Sequence, residues 1–135
     1  MVDIGIEMDF FEPEDKLGPI KATVHRSGKL GFSLGAAKLI DFETNKLFKI
    51  GRKKDLNDAA SEILYLIPVE IEDDLTFKVL RAGSYYSMKI KRLLSQMNID
   101  YRNESETVSF DIDEVKENGK KYFKLIRKKK RSNNT

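Results

Sequence analysis

What most limits the folds open to this chain is that its second half follows the same order of elements as its first. Val24-His25-Arg26-Ser27-Gly28 is answered 55 residues later by Val79-Leu80-Arg81-Ala82-Gly83, the same Val-x-Arg-small-Gly word. Each copy leads into a short apolar/polar segment and then a helical stretch, Leu34 to Phe42 in the first and Lys89 to Ile99 in the second. Two strand-like runs follow in each: Lys46–Lys53 and Glu62–Val69, then Thr107–Val115 and Lys120–Arg127. A recurring supersecondary unit of about 50 residues cannot bury its apolar face alone, so two such units are expected to close one interior.

The expected fold class is therefore α+β and strand-rich: two ββαββ repeats sharing one core as a pseudo-twofold β-barrel. The divisions are an acidic N-terminal arm (1–19), repeat 1 (20–69), a joint (70–75), repeat 2 (76–127) and a basic tail (128–135), all in one compact domain. Local patterns fill in the units. Gly28 is placed for a turn of positive φ, and Ser33 stands where a helix N-cap belongs. Ile90, Leu93, Leu94 and Met97 form a helical stripe, Val108, Phe110 and Ile112 alternate as a strand, and Asn118-Gly119 signals a hairpin. Ile63 to Val69 is the most apolar run and is expected as a central strand, while a turn of helix is expected at Asn57–Ala60. In the arm, Ile4, Ile6, Met8 and Phe10 recur with period two, which predicts a docked strand.

Chemistry is excluded more readily than assigned. No cysteine is present and His25 is the only histidine, so thiolate metal sites, triads and paired imidazoles are unavailable. Gly28-Lys29 lacks the upstream glycine and the following Ser/Thr of a phosphate loop, since Thr23 and Leu30 stand there. Glu70, Glu72, Asp73 and Asp74 read as a solvated joint and not as a metal site. No catalytic residue, metal or cofactor is expected, and the chain is read as a non-enzyme. Without a signal-like start or an apolar run of membrane length, it is expected in the cytoplasm and off the membrane, as a monomer or homodimer.

Charge is the remaining signal. Net charge is only +3, yet six acids crowd positions 1–15 and five bases run from Arg127 to Arg131. Such asymmetry points to a polyanionic partner. The candidate nucleic-acid-binding residues on this ground are Arg26, Lys29, Arg52, Lys53, Arg81, Lys89, Lys91, Arg92, Arg127, Lys128, Lys129, Lys130 and Arg131. Arg26 and Arg81 would be symmetry mates at two hairpin tips, suited to phosphates on either side of a groove of duplex DNA. Tyr85 and Tyr86 read as barrel packing in preference to base stacking. The competing reading is a protein–protein interaction or scaffold module of a phage or mobile element, with charges that serve solubility.

Gly28-Lys29-Leu30-Gly31-Phe32-Ser33, the helix to Phe42, and Leu47-Phe48-Lys49-Ile50 resemble the AbrB/SpoVT swapped-hairpin domain over 23 residues. Ser33, Ala37 and Asp41 stand where that family commonly has Pro, Arg and Gly, and the second half keeps only Gly83 of the opening motif. The resemblance implies a tandem, MraZ-like duplication and a DNA-binding transcription regulator, with Lys29 and Lys38 at its basic positions.

Overall fold

A computed structural model describes residues 7–11, 18–53, 62–102 and 107–128. Nine antiparallel strands form one sheet: β1 (Lys21–Val24), β2 (Lys29–Phe32), β3 (Leu47–Gly51), β4 (Ile63–Val69), β5 (Phe77–Lys78), β6 (Leu80–Ala82), β7 (Tyr85–Lys89), β8 (Ser109–Glu117) and β9 (Lys120–Arg127). Their order is β5-β3-β4-β9-β8-β1-β2-β7-β6. The two outermost strands are neighbours in the chain, separated only by Val79, whose N–H donates to Lys46 O at 3.0 Å. One extended segment thus pairs with β3 through Phe77–Lys78 and with β7 through Leu80–Ala82. The sheet is thereby curled into a nearly closed barrel.

Alternation places Ala22, Val24, Leu30, Phe32, Leu64, Leu66, Met88, Phe110, Ile112, Phe123 and Leu125 in the buried core. Phe42 fastens the closure from inside. Its ring stands edge-on to Phe32 at 4.8 Å and to Phe48 at 5.5 Å, and lies 5.4 Å from Tyr86. It therefore ties β2 and β7 to β3, across the seam of the sheet.

Helix α1 (Leu34–Ile40) starts where Ser33 predicts. The Ser33 hydroxyl accepts from Ala36 N–H and Lys21 N–H and donates to Pro19 O, so the cap also anchors the start of β1. Asp41 takes a left-handed φ of 63°, and both Asp41 and Phe42 N–H return to Ala37 O, which ends the helix and turns Phe42 inward.

Helix α2 covers only Lys91–Gln96, a correction to the stretch expected from Lys89 to Ile99. Lys89 stays in β7 opposite Lys29, and Ile90 N–H is taken by Gly28 O at 3.0 Å. Asn98, at φ 57°, closes the other end, with Ile99 N–H bonded to Leu94 O. The apolar stripe nevertheless faces inward, with Ile90 and Leu94 buried and Leu93 and Met97 packed on the core.

The acidic arm is a second correction. Residues 7–11 carry no strand, and Phe10 and Phe11 are 87% and 98% exposed. Ile4, Ile6, Asn57–Ala60 and Lys129–Arg131 lie outside the described residues. Among the described residues no helix is long and apolar enough to cross a membrane.

Phe42→Ala should cost about 3–5 kcal/mol in urea unfolding, the range for emptying a buried aromatic site. Ile71→Ala, at an 81% exposed position outside the core, should leave the same curve unmoved. Equal midpoints for the two variants would show that Phe42 does not hold the seam.

Candidate nucleic-acid interface

Register decides which side chains share an end of the barrel. Thr23 lies opposite Ser109, Phe110 opposite Arg127, Ile126 opposite Ile63, and Tyr65 opposite Gly51. On the other flank Lys29 lies opposite Lys89, just before α2. These partners mark one rim, the α2 end. It gathers Arg26 in the β1–β2 turn, Lys29, Lys89, Lys91, Arg92, Arg52, Lys53, Arg127 and Lys128.

Packing at this rim is tight. A Cβ added to Gly28, whose φ is 83°, would stand 3.0 Å from Lys91 Cβ, so the hairpin tip rests directly on the first turn of α2. Lys29 and Lys89 are partners across two antiparallel strands, a like-charge pairing that works against the fold. Among the described residues Lys29, Lys89, Lys91 and Arg92 form no ion pair. Lys53 lies over the Tyr65 ring at 5.7 Å, and Lys128 reaches Asp111 at 3.6 Å. Carboxylates share the rim, among them Glu62, Asp74 and Asp111.

Two expected members are elsewhere. Arg81 is a strand residue opposite Tyr86, not a tip residue; the tip of that hairpin is Gly83-Ser84. Its Nε donates to Gly83 O at 2.7 Å and its guanidinium lies 5.6 Å from the Tyr86 ring centre. Because β2 and β7 are antiparallel, Arg81 and Arg26 fall at opposite ends of the barrel, so the paired-tip arrangement is not formed. Lys38 belongs to α1, which begins at the other end beside Lys21 and Ser33.

Two of the four joint acids that could have suggested a cation site are taken up by lysines. Asp73 holds Lys49 at 2.8 Å, Leu75 N–H and the Thr76 hydroxyl, and Glu72 holds Lys78 at 2.9 Å. The Lys49 ammonium, then the Leu75 amide, keep the Asp73 carboxyl below its ordinary value. No group of three metal-ligating side chains occurs among the described residues.

Tyr86 is buried as barrel packing, but Tyr85, expected to pack with it, is instead a surface residue, 40% exposed. Tyr85 lies across the outer face of β2 above Gly31, and its hydroxyl and His25 Nε2 are hydrogen-bonded. A Cβ at Gly31 would collide with both atoms. The signal was available: a glycine between Leu30 and Phe32 inside a strand marks a close approach. No protein-family profile, curated protein or solved structure matches the chain, so the site rests on its own geometry.

Burial raises the Tyr85 phenol above its ordinary value of 10.0. A phenol held protonated in the fold contributes stability that is complete below pH 10 or so and is lost as pH rises through the higher folded value. In Gly31→Ala the ring should swing off the strand, and its titration, followed by tyrosine-ring NMR, should fall back toward 10. An unchanged Tyr85 titration would show that Gly31 does not make room for it.

Proposed function

We propose that this chain is a non-catalytic nucleic-acid-binding protein, a DNA-binding regulator or accessory factor that presents the α2 end of its barrel to the phosphate backbone. The observation that carries this reading is the convergence of bases distant in sequence on one rim, with Lys29 and Lys89 set against each other and no carboxylate among the described residues pairing them. Selection for solubility alone gives no reason to concentrate like charges where they repel, whereas a polyanion relieves that repulsion on binding. Docking would run through phosphate contacts, which position a protein without reading sequence.

The duplication belongs to the same proposal. Exchanging β1 with the β5–β6 segment, β2 with β7, β3 with β8 and β4 with β9 leaves the set of strand pairings unchanged. Both helices also end alike, on a left-handed Asp41 or Asn98 followed by a buried Phe42 or Ile99. These features support a pseudo-twofold pair of ββαββ units, as does the hairpin arm, helix and strand order over Gly28–Ile50 that prompted the AbrB/SpoVT comparison. The bases do not follow such a dyad. The tip at Arg26 is basic, and its counterpart at Gly83-Ser84 is not. Binding in this reading is one-ended.

Fluorescence anisotropy with a generic DNA duplex tests it. Binding should be measurable at about 50 mM salt and should weaken as a power of salt concentration, each neutralised phosphate adding about 0.9 to the log–log slope. Lys29→Ala with Lys89→Ala should flatten that slope by about 2, and Arg81→Ala should leave it alone. Absence of binding at low salt, or equal losses in the rim and Arg81 variants, would overturn the proposal.

A further inference from the structure

The barrel wall is interrupted beside α2. Where the β5–β6 segment leaves β7 to pair with β3, an open groove of about 950 Å³ remains between the joint, β3 and α2. Its floor and sides are apolar, built chiefly from Ile50, Ile67, Leu75, Phe77, Leu80 and Leu93, and Lys89 and Arg92 stand on its α2 side. Ile67 is 43% and Leu75 70% exposed, so a substantial apolar surface faces solvent. Asp73, through its bonds to Lys49, Leu75 N–H and Thr76, holds the turn that presents Leu75 there.

The chain also carries a segment with the complementary chemistry. Glu7-Met8-Asp9-Phe10-Phe11 places two adjacent, almost fully exposed phenylalanines and an exposed methionine between acids, and Glu12 follows in sequence. Apolar side chains of this size left in water are unfavourable relative to burial. A single chain leaves both surfaces uncovered. The segment rejoins the barrel at Pro19–Lys21, beside the Ser33 cap at the α1 end, whereas the groove opens toward α2.

We infer that the 7–11 segment of one molecule seats in the groove of a second copy, Phe10 and Phe11 entering the apolar floor while Glu7 and Asp9 meet Lys89 and Arg92, so that this exchange and a bound polyanion compete for those two rim cations. Those two cations form no ion pair within the chain among the described residues, so the incoming carboxylates displace none. Reciprocal exchange gives a closed twofold dimer in which both surfaces are satisfied. Each phenylalanine buries about 150–250 Å²; counted on both partners and in both contacts this comes to roughly 1,200–2,000 Å², the size of a stable interface. Asp74 also lines the groove and limits how many carboxylates it accepts.

Light scattering after gel filtration, on the full chain at about 100 µM, tests the exchange. The wild type should run at twice its 15.6 kDa. Phe10→Ser with Phe11→Ser should run as a monomer, as should Ile67→Glu with Leu75→Glu; all four positions are exposed, and circular dichroism should match the wild type. An equimolar mixture of the two double variants should recover a heterodimer, because one intact segment and one intact groove remain between them. A monomeric wild type overturns the inference, whether its segment is free, seated in its own groove or reserved for a different protein. So does a dimer that survives in either double variant.

Discussion

Everything in this molecule depends on one short extended segment, Phe77 to Ala82, serving two neighbours. Its first residues hydrogen-bond to β3 and its last to β7, so a sheet that would otherwise have two free edges is drawn into a barrel. Free edges offer unpaired N–H and C=O groups to other chains, and near-closure shortens those edges to the ends of β3 and β7 that the segment does not reach. A strand two to three residues long on each side is a weak fastening by itself. Phe42 reinforces it, because its ring touches Phe32, Phe48 and Tyr86 and so couples both sides of the seam through the core. The groove beside α2 is the residue of the same arrangement, since one segment cannot lie fully against both neighbours along its whole length.

Closure also explains how the basic rim arises. In an antiparallel barrel, turns and strand ends from remote parts of the chain meet at each end. The β1–β2 turn, the exit of β3, the exit of β9 and the entry to α2 all arrive at one of them. The Tyr85–His25 contact over Gly31 lies on the flank of the same hairpin that rests on α2. Core, seam and charged rim are thus consequences of a single set of registers.

Much of the local structure was legible. Ser33 as a cap, Gly28 and Asn118-Gly119 as turns, the inward alternation of Val108, Phe110 and Ile112, and the central position of Ile63–Val69 each follow from signals acting over a few residues. Failures occurred where a distant partner intervened. Lys89 and Ile90 suit a helix by their spacing, yet β2 recruits them through Lys29 and the Gly28 carbonyl. The alternation of Met8 and Phe10 suits a strand, but no neighbouring strand pairs with residues 7–11. The shared Val-x-Arg-small-Gly word misled in a different way. Both glycines take positive φ, but Gly28 ends a turn that holds Arg26, whereas Gly83 opens a two-residue turn with Arg81 already in the strand.

The amino-acid order by itself determined the kinds of element, their succession, the apolar faces, and the abundance of bases, because periodicity, capping and turn preference are properties of neighbours in the chain. Which of those bases stand together was decided only in three dimensions. A side chain's height on a barrel depends on hydrogen-bond register between strands tens of residues apart, and a shift of one residue would turn it to the other face. For that reason Arg26 and Arg81, alike in sequence context, end at opposite ends of the barrel, while Lys29 and Lys89, two lysines in unlike contexts, stand side by side.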